Sequence, residues 1–162
     1  MKSTIVSKPL TRAGICLGVG LGGFLDGILF HQIFQVHSML SARLPKDSVR
    51  NMEINMFWDG IFHSFTWIMT AIGVLLLFRA AFVRNILWSG HLLVGSMFLG
   101  WGLFNLIEGI TNHHILHLHH VVESRGQSIY DLCFLLSGFV LSIGGWVVIR
   151  SVRATQDPLG AD

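Results

Sequence analysis

Between Asn105 and His120 the chain reads NLIEGITNHHILHLHH, which sets five histidines, a glutamate and two asparagines directly after the apolar run MFLGWGLF. Imidazole and carboxylate groups are the common ligands of zinc, iron and manganese, and copper also accepts imidazole, so the chemistry these residue types suit is metal coordination. The same types recur in three other places: Asp26, His31 and His37 in GFLDGILFHQIFQVH, Asp59 and His63 in NMFWDGIFHSFTW, and Asp131 after Tyr130. No H-E-x-x-H, phosphate-loop or CxxC pattern accompanies them, so the signal lies in convergence and not in a single motif.

Spacing selects a first set. Asp59 and His63 stand four apart on one helical face, as a ligand pair or a carboxylate-oriented histidine requires. With His31, Glu108 and His113 they form the expected cluster, and His114 and His117 are held in reserve as further ligands. Asn105, Glu108 and Asn112 share a stripe, and with Asp26 and Asp131 the two asparagines are expected to support the ligands from behind. Asp26 is five residues from His31, hence about 140° away on an ideal helix, so both face inward only at different depths or across a kink. His113, His117 and His120 line one face if their helix continues, with His37, His114 and His119 around the rim. For His37, His119 and His120 an interfacial role without a ligand weighs at least equally, and for the solitary His91 it prevails. The same side chains would also serve as a purely structural polar network, with Asp59 bonded to His63 and a protonated Glu108 paired with an amide.

Something must position these groups, and composition says what. The 162 residues are 52% hydrophobic and 12% charged, with a mean hydropathy of +0.62, which excludes an ordinary soluble domain. Charged residues gather between long apolar runs, each close to the roughly 20 residues that cross a bilayer. The runs predict an all-α integral membrane four-helix bundle, one domain over residues 1–162, with spans at about 13–36, 54–78, 86–110 and 128–149. The first run carries Asp26 and no small-residue cleavage site, so it reads as a retained helix and not a signal peptide. No internal repeat is visible between the spans, which, with the absence of broken helices, argues against a transporter.

Lys2, Lys8, Arg12, Arg79, Arg84, Arg150 and Arg153 fall at one end, against Arg43, Lys46, Arg50 and Arg125 at the other. That bias predicts cytoplasmic N and C termini. Spans one and three then run outward and two and four inward, which brings the intramembrane carboxylates and the histidines other than His91 together at the outer end. Charges at such depth are costly unless paired or liganded. Glycines at four-residue intervals, Gly14, Gly18 and Gly22, predict close helix packing. Cys16 and Cys133 fall at opposite depths and cannot pair. Met39, Met52 and Met56 lie on the outer side near His37, where they suit copper capture or simple filling. No basic face suggests nucleic acid.

The blocks GFLDGILFHQIFQVH, NMFWDGIFHSFTW and GWGLFNLIEGITNHHILHLHHV resemble those of an uncharacterised bacterial family of four-helix membrane proteins catalogued only as a domain of unknown function. The resemblance covers most of the chain. It implies four spans in a bacterial cytoplasmic membrane and a neighbourhood of copper-handling and terminal-oxidase assembly proteins, and it supplies no activity. Three functions fit the residues. One is a membrane metalloprotein, including a metal-dependent enzyme, with a mono- or dinuclear centre of iron, zinc or copper in which Asp59 or Glu108 is a ligand or proton acceptor. Another is a copper- or metal-delivery accessory for oxidase assembly, and the third a haem b electron carrier with two axial histidines. The expected partners are the lipid bilayer, a metal ion, oxidase-assembly or copper-handling proteins, and a second copy in a homo-oligomer.

Overall fold

The four apolar runs form four helices, each long and apolar enough to cross a membrane: α1 Lys8–Asp26, α2 Val49–Ala80, α3 Gly90–Glu108 and α4 Ile129–Gln156. They are seen in a computed structural model that describes residues 6–156; Lys2, counted in the charge bias above, lies outside the described residues. α1 and α2 begin about five residues before the apolar runs do. Pro9 occupies the first turn of α1, where its missing N–H costs nothing. Ser48 caps α2 by accepting from the Asn51 N–H, and Ser89 caps α3 by accepting from the Leu92 N–H.

α1 and α3 pack on each other at the centre, while α2 packs on α1 and α4 on α3. Burial follows that plan. Half of the first span and 44% of the third are buried, against 17% in each of the other two. The outward faces of α2 and α4 carry Phe57, Trp67, Phe78, Phe139 and Trp146, all exposed, as lipid-facing surface requires. The central contact needs glycine. A Cβ on Gly18 would overlap the Met97 carbonyl, and one on Gly100 would overlap the Ile15 carbonyl.

Those two contacts are one contact seen twice, and they correct the expectation that the chain lacks a repeat. Asp26, His31, Gln35 and His37 recur 82 positions later as Glu108, His113, His117 and His119, and Asp59, Phe62 and Gly73 recur 72 positions later as Asp131, Phe134 and Gly145. Ile15 and Gly18 of one half meet Met97 and Gly100 of the other reciprocally, the pattern of a two-fold interface. Thr66 and Thr70 flank Gly20 as Gly138 and Ser142 flank Gly102, and Gly73 meets Leu17 as Gly145 meets Leu99. The molecule is therefore two helical hairpins related by a pseudo-two-fold axis. Few identities survive between the halves, since packing constrains shape more than residue type, so the repeat is faint in the sequence.

Both central helices end alike. α1 passes into a π-helical segment, π1, Gly27–Ile33, and α3 into π2, Gly109–Ile115. Gln35 and His117 then take positive φ, 51° and 47°, and the chain folds back over the bundle. Residues 34–48 and 116–128 thus form a cover at one end, laced together by the Ala42 N–H to Leu118 O and the Glu123 N–H to Val36 O. The other end is closed by the apolar cluster of Leu10, Leu92 and Ile149 and by Arg153, which donates to Thr11 Oγ1.

The central contact gives a direct test. Gly18→Val is expected to lower stability by at least about 2 kcal/mol through backbone overlap, read as a fall in the thermal midpoint of detergent-purified protein. Gly144→Ala, where a Cβ meets open space, is expected to leave the midpoint unchanged or to raise it, since alanine is the better helix former.

Candidate metal centre

The π-helical segments decide which residues meet. Their wider turn bonds residue i to i+5, so Asp26 and His31 come onto one face, as do Glu108 and His113. His31 Nε2 lies 3.5 Å from Asp26 Oδ2, and His113 Nε2 lies 3.3 Å from Glu108 Oε1. The 140° separation expected for Asp26 and His31 applies to an α-helix and is removed by this change of pitch.

The reversal after each π segment brings two more histidines inward. His37 and His119, for which an interfacial role without a ligand carries at least equal weight on sequence alone, are 1% and 0% exposed. Their rings stack across the pseudo-two-fold axis with centroids 4.7 Å apart. His31 stands 4.4 Å from His37, and His113 stands 4.9 Å from His119. Four imidazoles therefore share one pocket under the loop cover.

Three of the four rings are hydrogen-bonded from behind at Nδ1, and the fourth faces a carboxylate there. His37 donates to Val121 O at 2.9 Å and His119 to Met39 O at 3.1 Å, so each half anchors the histidine of the other. His31 Nδ1 is 2.8 Å from Asp59 Oδ1. His113 Nδ1 is 3.3 Å from Asp131 Oδ1, an ion-pair distance without hydrogen-bond alignment. The two aspartates are braced in turn: Asp59 accepts from the Met39 N–H at 2.8 Å, and Asp131 from the Val121 and Ser128 N–H groups at 3.0 and 2.8 Å.

A carbonyl oxygen only accepts, so the Nδ1 atoms of His37 and His119 carry the protons, and the Nε2 atom of each neutral ring keeps its lone pair. The Nε2 atoms of His31, His37 and His113 are buried without a hydrogen-bond partner. His119 Nε2 lies 2.9 Å from Glu108 Oε1. Two acceptors at that distance need a cation between them, either a proton or a metal. Burial pushes the pKa of His37, in the loop beyond π1, well below the ordinary imidazole value and keeps it in the neutral form that binds metals.

Two triads place one donor atom each within 4.8 Å of the others: His31, His37 and His119, and Glu108, His113 and His119. His31, Glu108 and His113 of the expected cluster are thus brought together, with Asp59 behind His31 as an orienting carboxylate. Besides Asp59, three residues expected as ligands stand apart from both triads. His63 turns its Nδ1 to its own helix at Asp59 O and packs against Gly27 outside the cluster. His114 bonds Gly109 O within π2. His117 sits at the positive-φ reversal, half-buried beside His120; the continuation that would have carried His113, His117 and His120 on one face does not occur, since the helical segment stops at Ile115. Of the supporting set, Asn112 donates to Glu108 at 3.4 Å, Asn105 donates to Ser137 Oγ at 3.1 Å, and Asp131 braces the second loop. His120 is buried with its Nδ1 3.6 Å from Asp131 Oδ1, while His91 is exposed.

The two histidines that the sequence left at the rim carried a signal. The intervals from Asp26 to His31 and His37 equal those from Glu108 to His113 and His119, and laying DGILFHQIFQVH under EGITNHHILHLH would have paired them.

A family model described as "Predicted membrane protein (DUF2243)" matches residues 13–152. No curated protein and no solved structure matches the chain.

Bracing by Asp131 is measurable apart from any metal. Asp131→Ala strands the buried Val121 N–H, worth roughly 1–3 kcal/mol when unsatisfied, and the half-buried Ser128 N–H, and is expected to lower the unfolding midpoint clearly in a denaturation series in detergent. Asp47→Ala, on an exposed side chain, is expected to stay within about 0.5 kcal/mol of wild type.

Proposed function

The chain belongs to the DUF2243 family of predicted membrane proteins, and from that premise we propose that it is a membrane metalloprotein. It binds a first-row transition metal, iron, zinc or copper, through the Nε2 atoms of His31, His37, His113 and His119, with Glu108 as carboxylate ligand. The two triads share His119, whose Nε2 has a single lone pair, so His119 serves one ion only and a second ion would rest on the remaining donors.

The observation that carries the reading is the arrangement of the imidazoles. Metal-binding histidines characteristically have their second nitrogen fixed by a carboxylate or carbonyl, and all four rings have such a group behind Nδ1. A structural network would instead satisfy both nitrogens, and three Nε2 atoms here have no partner. Asp59 and Asp131 orient ligands in this scheme, and Asp26 borders the centre.

The rings stand 4.4 to 6.4 Å apart, edge or face against one another, which suits an ion and leaves no slot for a macrocycle between them. Their burial beneath two loops favours a resident cofactor over an ion handed on to an oxidase. The loop end carries Arg43, Lys46, Arg50 and Arg125 against Lys8, Arg12, Arg79, Arg84, Arg150 and Arg153 at the other, a bias that supports an extracytoplasmic centre in a bacterial cytoplasmic membrane.

Elemental analysis of protein purified in detergent without chelator tests the reading. Wild type is expected to retain close to one or two equivalents of a transition metal, and His37→Ala and His119→Ala to lose most of it. His63→Ala and His91→Ala are expected to retain wild-type content. Metal-free wild type that also fails to take up iron, zinc or copper, or equal loss in all four variants, overturns it.

A further inference from the structure

The two halves of the molecule differ where they matter most. Beside the centre, in the half formed by α1, α3 and α4, lies a cavity of about 390 Å³ lined by Gly22, Leu25, Asp26, Phe30, Trp101, Asn105, Tyr130 and Phe134 among others. The pseudo-two-fold counterpart of Gly22 is Phe104. That phenyl ring is buried against Gly23 and stacks on Phe62, the counterpart of Phe134, at 6.0 Å. One half is thus filled by an aromatic ring at the place where the other is hollow.

The carboxylates diverge on the same side. Glu108 reaches His119 at 2.9 Å and accepts from Asn112. Asp26, one methylene shorter, comes no nearer than 3.5 Å to His31 and makes no hydrogen bond among the described residues, although it is only 6% exposed. It lines the cavity. A buried carboxylate with no polar contact shorter than the 3.5 Å to His31 is short of donors, so its position favours a ligand that brings one. Asn105 stands beside it: Ser137 Oγ already donates to Phe134 O, so it accepts from Asn105 Nδ2, and Asn105 Oδ1 is left as a second acceptor without a partner.

The walls define the rest of the ligand. Phe30, Trp101, Tyr130 and Phe134 supply aromatic faces, against which a flat ring packs well. Leu25, Tyr130 and Cys133 at the rim are exposed on helices that face lipid, so access is sideways from the bilayer. The volume lies within the roughly 300–1,000 Å³ usual for small-molecule sites.

We infer that this cavity binds a lipid-soluble aromatic alcohol, a phenol or hydroquinone, with its ring between Trp101 and Phe134 and its hydroxyl donating to Asp26. The inference rests on the metal-centre reading for what the head group meets beyond Asp26, namely His31, whose Nε2 is 3.5 Å away.

The test uses a decyl-substituted hydroquinone and its dimethyl ether, which keeps the shape and loses the donors, with affinity for full-length protein in detergent read by titrated thermal shift. Wild type is expected to bind the hydroquinone at least ten-fold more tightly than the ether. Asp26→Asn should lower hydroquinone affinity about ten-fold and leave the ether unaffected. Cys133→Phe, which fills the rim from an exposed position, should abolish binding of both. Gly22→Phe would copy the filled half, but its side chain collides with Trp101; the Cys133 variant therefore carries the steric test if the Gly22 variant does not fold. Equal affinity for hydroquinone and ether, or undiminished binding to Cys133→Phe, overturns the inference. Metal content measured on the same samples separates the two readings: a metal-free protein that still discriminates the two probes removes the centre and keeps the cavity, and a metal-loaded protein that does not discriminate removes the cavity and keeps the centre.

Discussion

Four imidazoles can face one another in a dry interior only if something holds each of them from behind. Here that role falls to two backbone carbonyls and two aspartates, and the carbonyls belong to the opposite half of the molecule. Because a carbonyl cannot donate, it fixes the tautomer as well as the orientation of the ring. The loops are therefore part of the centre's chemistry and not a lid laid over it. Removing the bond at Val121 O would free His37 to turn, although Val121 is remote from His37 in sequence and belongs to the other hairpin.

The rest of the fold can be read as what makes that reciprocal arrangement possible. The glycine contact between α1 and α3 lets two backbones approach closely along the axis, and without that closeness the π segments at their ends would not bring Asp26, His31, Glu108 and His113 into one pocket. The π pitch aligns residues five apart, and the positive-φ residues Gln35 and His117 then turn the chain so that His37 and His119 point back in. Each step is local. Together they convert two unremarkable hairpins into a single enclosed donor set.

How much of this the sequence disclosed follows from the period assumed in reading it. The spans were legible because apolar runs between charges need no geometry, and His31, Asp59, Glu108 and His113 were legible because charged groups deep in a membrane demand partners. The α-helical period then misled: it set Asp26 aside from His31 and tied the later histidines to a face that exists only if the third helix continues. A π segment has no strong compositional mark, since Gly27 and Gly109 are two glycines among 18. His63 was assigned inward from its spacing to Asp59, but its ring lies against Gly27, outside both triads. The repeat was hidden by low identity and by unequal connections between the helices of the two halves.

Two identical subunits around a true axis must accept every substitution twice, so a residue that opens one flank opens the other. Joining the hairpins in a single chain lifts that restriction. Phe104 can plug its side while Gly22 leaves the facing side hollow, and Glu108 can reach His119 where Asp26 stops short of His31. Covalent tandem linkage has in this way let a symmetric scaffold acquire a front and a back.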